Sequence, residues 1–466
     1  MHRAGIVRSF TRVAATVTLL AACSSSSSPP APPAQRGEER TPSGRGLDPT
    51  AVRTSAHPSL LDTLDDIDET PEPSVRTPGE TVGVVASPAT LDLAAPPHGC
   101  VAITRAPTRV IAAGGPASIT ATVGGFVVAG YMPGASSGSP GASSEEVVAV
   151  RLSPSSPTSP LATLMLGPGT TTPRVAPPMV SALDNGRVLV AATDARGAVR
   201  VVILGVSSPT MRPELRTIGR GADLRFAPAI APLRGGAAAI AYTDGSGMPM
   251  RVRLAVVRPD LSTASTHDLT PQSLGASAPV ADTLAEVPEI VFLDARGGLS
   301  PVVRVALGED GAPRPAQIDR PLSTVSEPAH IATAHVGPRR FVAYTAIGRA
   351  ATSAIGIVEL GGTLPAEPLV PGVGYGVLQL GAVSAPAAAI FAVTRPLPGA
   401  AAADRFNAQV LARVVDAAGI GPELAVTGAE ERVSHAAIAR AADGTVGVAY
   451  TTSAGVSVAW LRCADH

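Results

Sequence analysis

Residues 237–243 read AAAIAYT, an apolar run that ends in tyrosine and threonine, and variants of it recur along the chain. Two close copies are residues 339–345 (RRFVAYT) and 445–451 (TVGVAYT). Four looser copies are residues 126–132 (FVVAGYM), 187–193 (RVLVAAT), 287–293 (VPEIVFL) and 388–394 (AAIFAVT). Short runs rich in aliphatic and aromatic residues are typical of buried β-strands. A strand that returns about every 50 residues predicts a repeat architecture.

One position sets the register of these seven segments. Their next-to-last residue is aromatic in five of them, although aromatic residues make up only 3% of the chain. The residues at this position are Tyr131, Ala192, Tyr242, Phe292, Tyr344, Val393 and Tyr450. A shared aromatic position in a chain so poor in aromatic residues indicates equivalent core positions.

The flanking residues extend each segment into a larger unit. Pairs such as Gly124-Gly125 and Asp443-Gly444 stand directly before or at the start of the strands and are typical of tight β-turns. A third strand follows most segments, as at residues 198–204 and 250–257, and an inner strand precedes each unit. Several inner strands are entered through proline, which breaks no ladder at a strand start: Pro116, Pro178, Pro228, Pro279 and Pro328.

Repeated units of short strands predict an all-β fold, a seven-bladed β-propeller. The alternative is a pair of β-sandwich domains, and a period sustained through seven units argues against it; strand boundaries leave six or eight blades open. The last unit lacks a fourth strand, and we expect residues 100–111 to supply it. Cys463 would then lie beside Cys100, so we predict a disulfide that locks the N-terminal strand into the last blade.

The first residues have the features of an export signal. Arg3, Arg8 and Arg12 precede a short apolar run, which ends in Leu20-Ala21-Ala22-Cys23. This sequence resembles the lipobox of bacterial lipoproteins. The resemblance implies cleavage before Cys23, lipid on Cys23, a tether to the membrane and a place in the cell envelope. Ser24, and not aspartate, follows the cysteine, which by the same resemblance favours the outer over the inner membrane.

The predicted chain therefore has three parts: a signal peptide (1–22), a linker (23–97) and the propeller domain (98–466). The linker is rich in Ser and Pro at its start and carries an excess of acidic residues. It has too few apolar residues to offset its ordering entropy by burial, so we expect disorder.

Composition excludes several classes of function. Net charge is −1, so nothing favours nucleic acid as a partner. All 36 basic residues are arginine, which excludes a P-loop lysine and a Schiff-base lysine. The sequence has no zinc-binding His-Glu-x-x-His or Cys-x-x-Cys motif, so we expect no cofactor and no metal. Polar residues on predicted inner strands are the only candidates for a site at the channel mouth: Asp282, His330, Gln379 and His435.

Three functions remain open. A lipoprotein that binds or scaffolds a protein or envelope component without catalysis is favoured, because propellers are common interaction platforms, although a fold alone does not give a function. The second is a hydrolase or lyase with its site at the channel mouth. The third is a structural envelope protein without a specific ligand.

Overall fold

Strands form nearly all regular structure in the part of the chain that the computed structural model describes. That part consists of residues 99–103, 107–112, 114–133, 144–169, 175–184, 186–208, 213–270, 275–285, 287–294, 301–321, 330–347, 353–360, 367–370, 380–397, 406–417 and 419–463. A single turn of 3-10 helix at Arg234–Gly236 interrupts the strands. Cys23, the predicted linker and Gln379 lie outside the described residues.

The strands are short, and most contain a buried apolar run. In chain order they are β1 Cys100–Ala102, β2 Thr108–Ala112, β3 Ala117–Thr122, β4 Gly125–Pro133, β5 Ser144–Ser153, β6 Ser156–Pro168, β7 Met179–Ala182, β8 Arg187–Thr193, β9 Val199–Gly205, β10 Arg216–Gly219, β11 Ala229–Pro232, β12 Ala238–Asp244, β13 Arg251–Val257, β14 Thr263–Asp268, β15 Ala276–Asp282, β16 Glu289–Asp294, β17 Pro301–Ala306, β18 Gln317–Pro321, β19 Ile331–Val336, β20 Arg339–Ile347, β21 Ser353–Glu359, β22 Glu367–Val370, β23 Leu380–Ser384, β24 Ala388–Pro396, β25 Ala408–Asp416, β26 Gly419–Ile420, β27 Leu424–Ala425, β28 Val433–Arg440, β29 Thr445–Thr452 and β30 Gly455–Cys463.

Successive strands pair antiparallel into sheets. The first five sheets have four strands each: β3–β6, β7–β10, β11–β14, β15–β18 and β19–β22. The remaining strands form one ten-stranded sheet, in which β23–β27 and β28–β30 with β1 and β2 are joined through the single pair Ala408↔Val433. The predicted all-β class with four-stranded antiparallel sheets is confirmed.

The first strands of consecutive sheets contact one another in a series that returns to its start. The contacts run β3 to β7, β7 to β11, β11 to β15, β15 to β19, β19 to β23, β23 to β28 and β28 back to β3. Six of these strands are edges of their own sheets, and β28 pairs on its outer side with β25 only through Ala408↔Val433. Their free backbone edges therefore lie around a common channel.

The apolar core is distributed between the sheets. Clusters of buried side chains lie between each pair of consecutive sheets, including one between the last sheet and the first. The five aromatic residues of the repeated register are all buried, from Phe292 at 0% exposure to Tyr242 at 9%. Burial on both faces explains why the middle of each second strand is apolar, with charged residues such as Arg187, Glu289 and Arg339 at the strand starts.

Two turns show why glycine precedes the second strands. Gly124 has φ +81° and Gly444 has φ +83°, a region that residues with a Cβ atom rarely occupy. Glycine at these positions lets the chain reverse directly from the first strand of a sheet into the second.

Both β1 and β2 pair antiparallel with β30. Cys100 lies opposite Cys463, and the two residues form the predicted disulfide with their Cα atoms 4.0 Å apart. Residues 100–111 were predicted to supply an outer strand, and the structure describes two strands there, β1 and β2, with residues 104–106 outside the described part.

Among the described residues there is no helix with the length and apolar character needed to cross a bilayer.

Candidate functional site

The channel between the first strands contains two adjoining cavities. They share the wall residues Ile119, Ala281, Thr283, Thr333, Ala382 and Ile438. One cavity lies toward the starts of the first strands and the other toward their ends. We call them the apolar cavity and the polar cavity after the side chains that line them.

The apolar cavity has a volume of about 320 Å³. Its walls are mostly alanine, isoleucine, valine and proline, together with Met179 and Phe226. His330, directly before β19, and His435, on β28, bring imidazoles to this wall. Pockets that bind small molecules are commonly of this size, largely apolar, with a few polar groups.

His330 is surrounded by protein although part of its surface stays accessible. Desolvation by burial lowers the pKa of its imidazole to about 4. At neutral pH His330 is therefore uncharged and offers the cavity one hydrogen-bond donor and one acceptor.

The polar cavity has a volume of about 340 Å³ and lies at the ends of β3, β15, β19, β23 and β28. Polar side chains make up nearly half of its wall: Thr120, Asp282, Thr283, Thr333, His335, Ser384 and Arg440. Its lining includes the carboxylate of Asp282, the guanidinium of Arg440 and the imidazole of His335.

Asp282 and His335 form the main contact in this wall. His335 Nε2 lies 2.8 Å from Asp282 Oδ1 and 2.7 Å from Oδ2, and the Asp282 side chain is only 3% exposed. Asp282 ends β15, where its Oδ1 also accepts a hydrogen bond from the Leu284 amide at 3.2 Å. A short aspartate that binds the backbone two residues ahead favours a turn, which fixes the carboxylate at the strand end.

Ser384 supports the same imidazole from the next sheet. The backbone amide of His335 donates to Ser384 Oγ at 2.8 Å. A similar bond joins Val180 N to Ser118 Oγ at 3.0 Å between the second and first sheets. Serine hydroxyls thus satisfy edge amides that no neighbouring strand pairs.

The structure divides the predicted site residues between the two cavities. His330 and His435 line the apolar cavity, whereas Asp282 lines the polar one. The histidines lie at or near the starts of their strands and Asp282 ends its strand, so they line different parts of the channel. His330 and His335 stand at opposite ends of β19, about 16 Å apart at the usual rise of an extended chain. Gln379 is outside the described residues.

Sequence reasoning missed His335, Ser384 and Arg440. All three occupy the position of Asp282, four or five residues before the repeated second-strand segment of their unit. Aligning the ends of the first strands, and not only the second strands, would have placed these residues together.

The loops at the other end of the sheets are fixed by aspartates that follow second strands. Asp194 Oδ1 accepts hydrogen bonds from the amides of Arg196 and Ala198, both at 2.9 Å. Asp244 Oδ1 accepts from the Ser246 amide at 3.0 Å. The carboxylates of Asp194 and Asp244 thus cap the turns that follow them. Among the described residues, no group of three or more His, Cys, Asp or Glu side chains is placed to hold a metal ion.

Comparison with known proteins gives structural likeness only. No protein-family model matches the chain, and no curated protein matches it. A BP39L lectin from Burkholderia pseudomallei shares 14% identity over 76% of this chain and 98% of its own, with a TM-score of 0.48. The polysaccharide lyase Uly1 shares 7% identity over 74% and 89%, with a TM-score of 0.47. A streptogramin B lyase shares 13% identity over 77% and 96%, with a TM-score of 0.43. At these values the likeness assigns neither an activity nor a ligand.

Proposed function

We propose that this chain is a lipid-anchored binding protein of the cell envelope, in which a seven-bladed β-propeller holds its ligand without catalysis. The observation that carries the proposal is the apolar cavity in the channel, whose size and wall suit a small molecule. A protein or other envelope component that docks on a propeller face would then meet the channel mouth.

The count of seven blades rests on the contacts between first strands. The series from β3 through β28 and back to β3 has seven members, and apolar clusters fill each gap between neighbours. The ten-stranded sheet then represents two blades that share one bridging pair. β1 and β2 supply the outer strand of the last blade, and the Cys100–Cys463 disulfide secures it.

The anchor rests on the sequence Leu20-Ala21-Ala22-Cys23. Lipid on Cys23 holds the propeller at a membrane, because each buried methylene stabilises attachment by about 0.8 kcal/mol. Ser24 after the cysteine favours the outer membrane over the inner. A structural disulfide agrees with an oxidising compartment outside the cytoplasm. The anchor is tested by mass spectrometry of the N-terminal peptide from detergent extracts. An acylated Cys23 supports it, and an unmodified peptide that continues upstream of Cys23 contradicts it.

Binding is favoured over catalysis by the wall of the apolar cavity. The described residues that line it include no acidic residue and no arginine, and its His330 is uncharged. The Asp282–His335 pair nevertheless favours one second candidate, a hydrolase or lyase, because a carboxylate that orients an imidazole is a common general-base arrangement.

The proposed function is tested by identifying what the channel holds. The full-length protein is purified from a bacterium that processes lipoproteins, and small molecules are extracted and identified by mass spectrometry. Ala382→Phe places a ring in the wall shared by both cavities. Ala454→Phe, on the exposed turn between β29 and β30, is the matched control.

A molecule bound to wild type and to Ala454→Phe, and lost from Ala382→Phe, supports a channel ligand. Equal recovery from all three proteins contradicts it. The enzymatic candidate makes a different prediction: the bound molecule is converted to product by wild type and remains intact with His335→Asn.

A further inference from the structure

The two cavities differ in chemistry along one continuous channel. The apolar cavity offers aliphatic walls and neutral imidazole, while the polar cavity offers hydroxyls and charged groups. Because they share six wall residues, one elongated molecule can occupy both. A uniformly polar ligand would leave the aliphatic wall unmatched, and a uniformly apolar ligand would bury the polar wall without partners.

The charged groups of the polar cavity point to the sign of the ligand's polar end. The carboxylate of Asp282 directs both oxygens to His335 Nε2 and one oxygen to the Leu284 amide. Both of its oxygens are therefore engaged by groups of the protein. Arg440 contributes a guanidinium to the same wall, and its five N–H donors can serve protein and ligand together.

The neighbouring hydroxyls add donors that suit an anion. Thr120, Thr283 and Thr333 line the cavity, and Ser384 Oγ accepts the His335 amide and keeps its own proton to donate. A carboxylate accepts hydrogen bonds from both guanidinium and hydroxyl groups, and bonds in which both partners are charged are the stronger ones.

We propose that the channel binds an amphipathic organic acid, with its carboxylate beside Arg440 and its apolar chain in the apolar cavity. This inference rests on the proposed function, because it names the class of ligand that the channel holds. The aliphatic chain lies along Ala382 and Ile438, which line both cavities, and ends near His330 and His435.

The test compares three probes with the same chain and different ends: dodecanoate, dodecanol and dodecyltrimethylammonium. Their Kd values are measured by calorimetry below the concentrations at which they form micelles, on the purified full-length protein. We expect dodecanoate to bind wild type at least tenfold more tightly than either of the other probes. Equal affinity for the three probes, or no binding of dodecanoate, overturns the inference.

Variants then assign the carboxylate to its place. Arg440→Gln is expected to raise the Kd of dodecanoate at least tenfold and to change the Kd of dodecanol by less than twofold. Arg196→Gln, an exposed arginine on the opposite loops, is the matched control and is expected to leave both unchanged. An unchanged Kd for dodecanoate in Arg440→Gln overturns the placement.

A variant that binds dodecanoate more tightly than wild type cannot owe its effect to misfolding. Asp282→Asn removes the negative charge nearest the proposed carboxylate and keeps the shape of the side chain. We expect this variant to lower the Kd of dodecanoate severalfold and to leave the Kd of dodecanol unchanged. A higher Kd for dodecanoate would contradict the proposal. If Ala382→Phe displaces a co-purified molecule but dodecanoate never binds, the channel function stands and the organic-acid inference fails.

Discussion

The last and third sheets have similar strand orders but come from the chain in different ways. The third sheet takes β11–β14 consecutively, from Ala229 to Asp268. The last part of the ten-stranded sheet joins β28–β30 to β1 and β2, so that Cys100 pairs with Cys463 at a sequence separation of 363. Short turns make the third sheet easy to form, whereas the pairing of β1 with β30 closes a very long loop.

The difference teaches that closure depends on contacts that no local segment supplies. Where pairing is local, propensity and turn glycines suffice. Where the two ends meet, the structure adds a disulfide and a large aromatic contact. The ring centroids of Trp460 on β30 and Phe126 of the first sheet lie 5.0 Å apart. Trp460 Nε1 also donates a hydrogen bond to Thr108 Oγ1 on β2 at 3.3 Å.

The largest expected effect comes from Trp460→Ala. Trp460 is 1% exposed, so truncation leaves a cavity where β30, β2 and the first sheet meet. We expect the free energy of unfolding to fall by about 3–5 kcal/mol in urea denaturation. Ile240→Ala, in the third sheet, is the control and should cost about 2–5 kcal/mol. A Trp460 variant as stable as wild type would show that the last and first sheets are not packed together.

The double substitution Cys100→Ser and Cys463→Ser removes the covalent part of the closure. We expect a loss of about 2–5 kcal/mol, because the unfolded chain regains the entropy of an open loop. Dithiothreitol should lower wild type to the level of the variant and leave the variant unchanged. If dithiothreitol lowers the free energy of unfolding of both proteins equally, the disulfide is not the source of the difference.

A smaller effect is expected where neighbouring sheets share one hydroxyl. Tyr131 Oη donates to Thr193 O at 3.2 Å and accepts from Thr193 N at 3.3 Å, which links the first and second sheets. Tyr131→Phe should lower the free energy of unfolding by about 1–2 kcal/mol, since buried backbone groups lose their partner. Tyr344→Phe removes the hydroxyl at the equivalent register position of the fifth sheet and provides the comparison. Equal small losses would show that the link adds nothing.

The smallest effect concerns pH and the channel. The folded pKa of His330 is about 4, below its ordinary value of 6.5, so the unfolded chain binds the extra proton first. His330 therefore has no effect on the pH dependence of the unfolding free energy above about pH 6.5, and it lowers that free energy as pH falls toward 4. Between pH 7 and pH 5 the urea midpoint of wild type should therefore fall by more than the midpoint of His330→Gln. His267→Gln, on β14 away from the channel, should keep the wild-type profile; an identical profile for His330→Gln would contradict the expectation.

Local patterns predicted most of the fold. The aromatic register placed Tyr131, Tyr242 and Tyr450 in the core because strand pairing and burial depend on residues that are neighbours in sequence. The disulfide was predicted because only two cysteines remained for a chain whose last unit lacked a strand. The division of residues 100–111 into the two strands that the structure describes was not foreseen, although Pro107 stands directly before the second strand.

The candidate site was harder to predict than the fold. Asp282 was identified, but its partner His335 is 53 residues away and belongs to another sheet. Such a contact follows from how the sheets stand around the channel, and a residue-by-residue search for motifs does not contain that information. From the sequence, His330 and His435 of the apolar cavity and Asp282 of the polar cavity were therefore predicted as one site.

The disulfide also has a mechanical meaning. If lipid at Cys23 holds the protein, a pull from that side reaches the described strands at β1, which begins at Cys100. The bond to Cys463 carries that force directly to β30, a nine-residue strand that pairs with β29 on its other side. Hydrogen bonds between β1 and β30 would be unzipped one after another under such a load, whereas a covalent link at the point of entry shields them. A load applied from that side would thus leave β1 attached to β30.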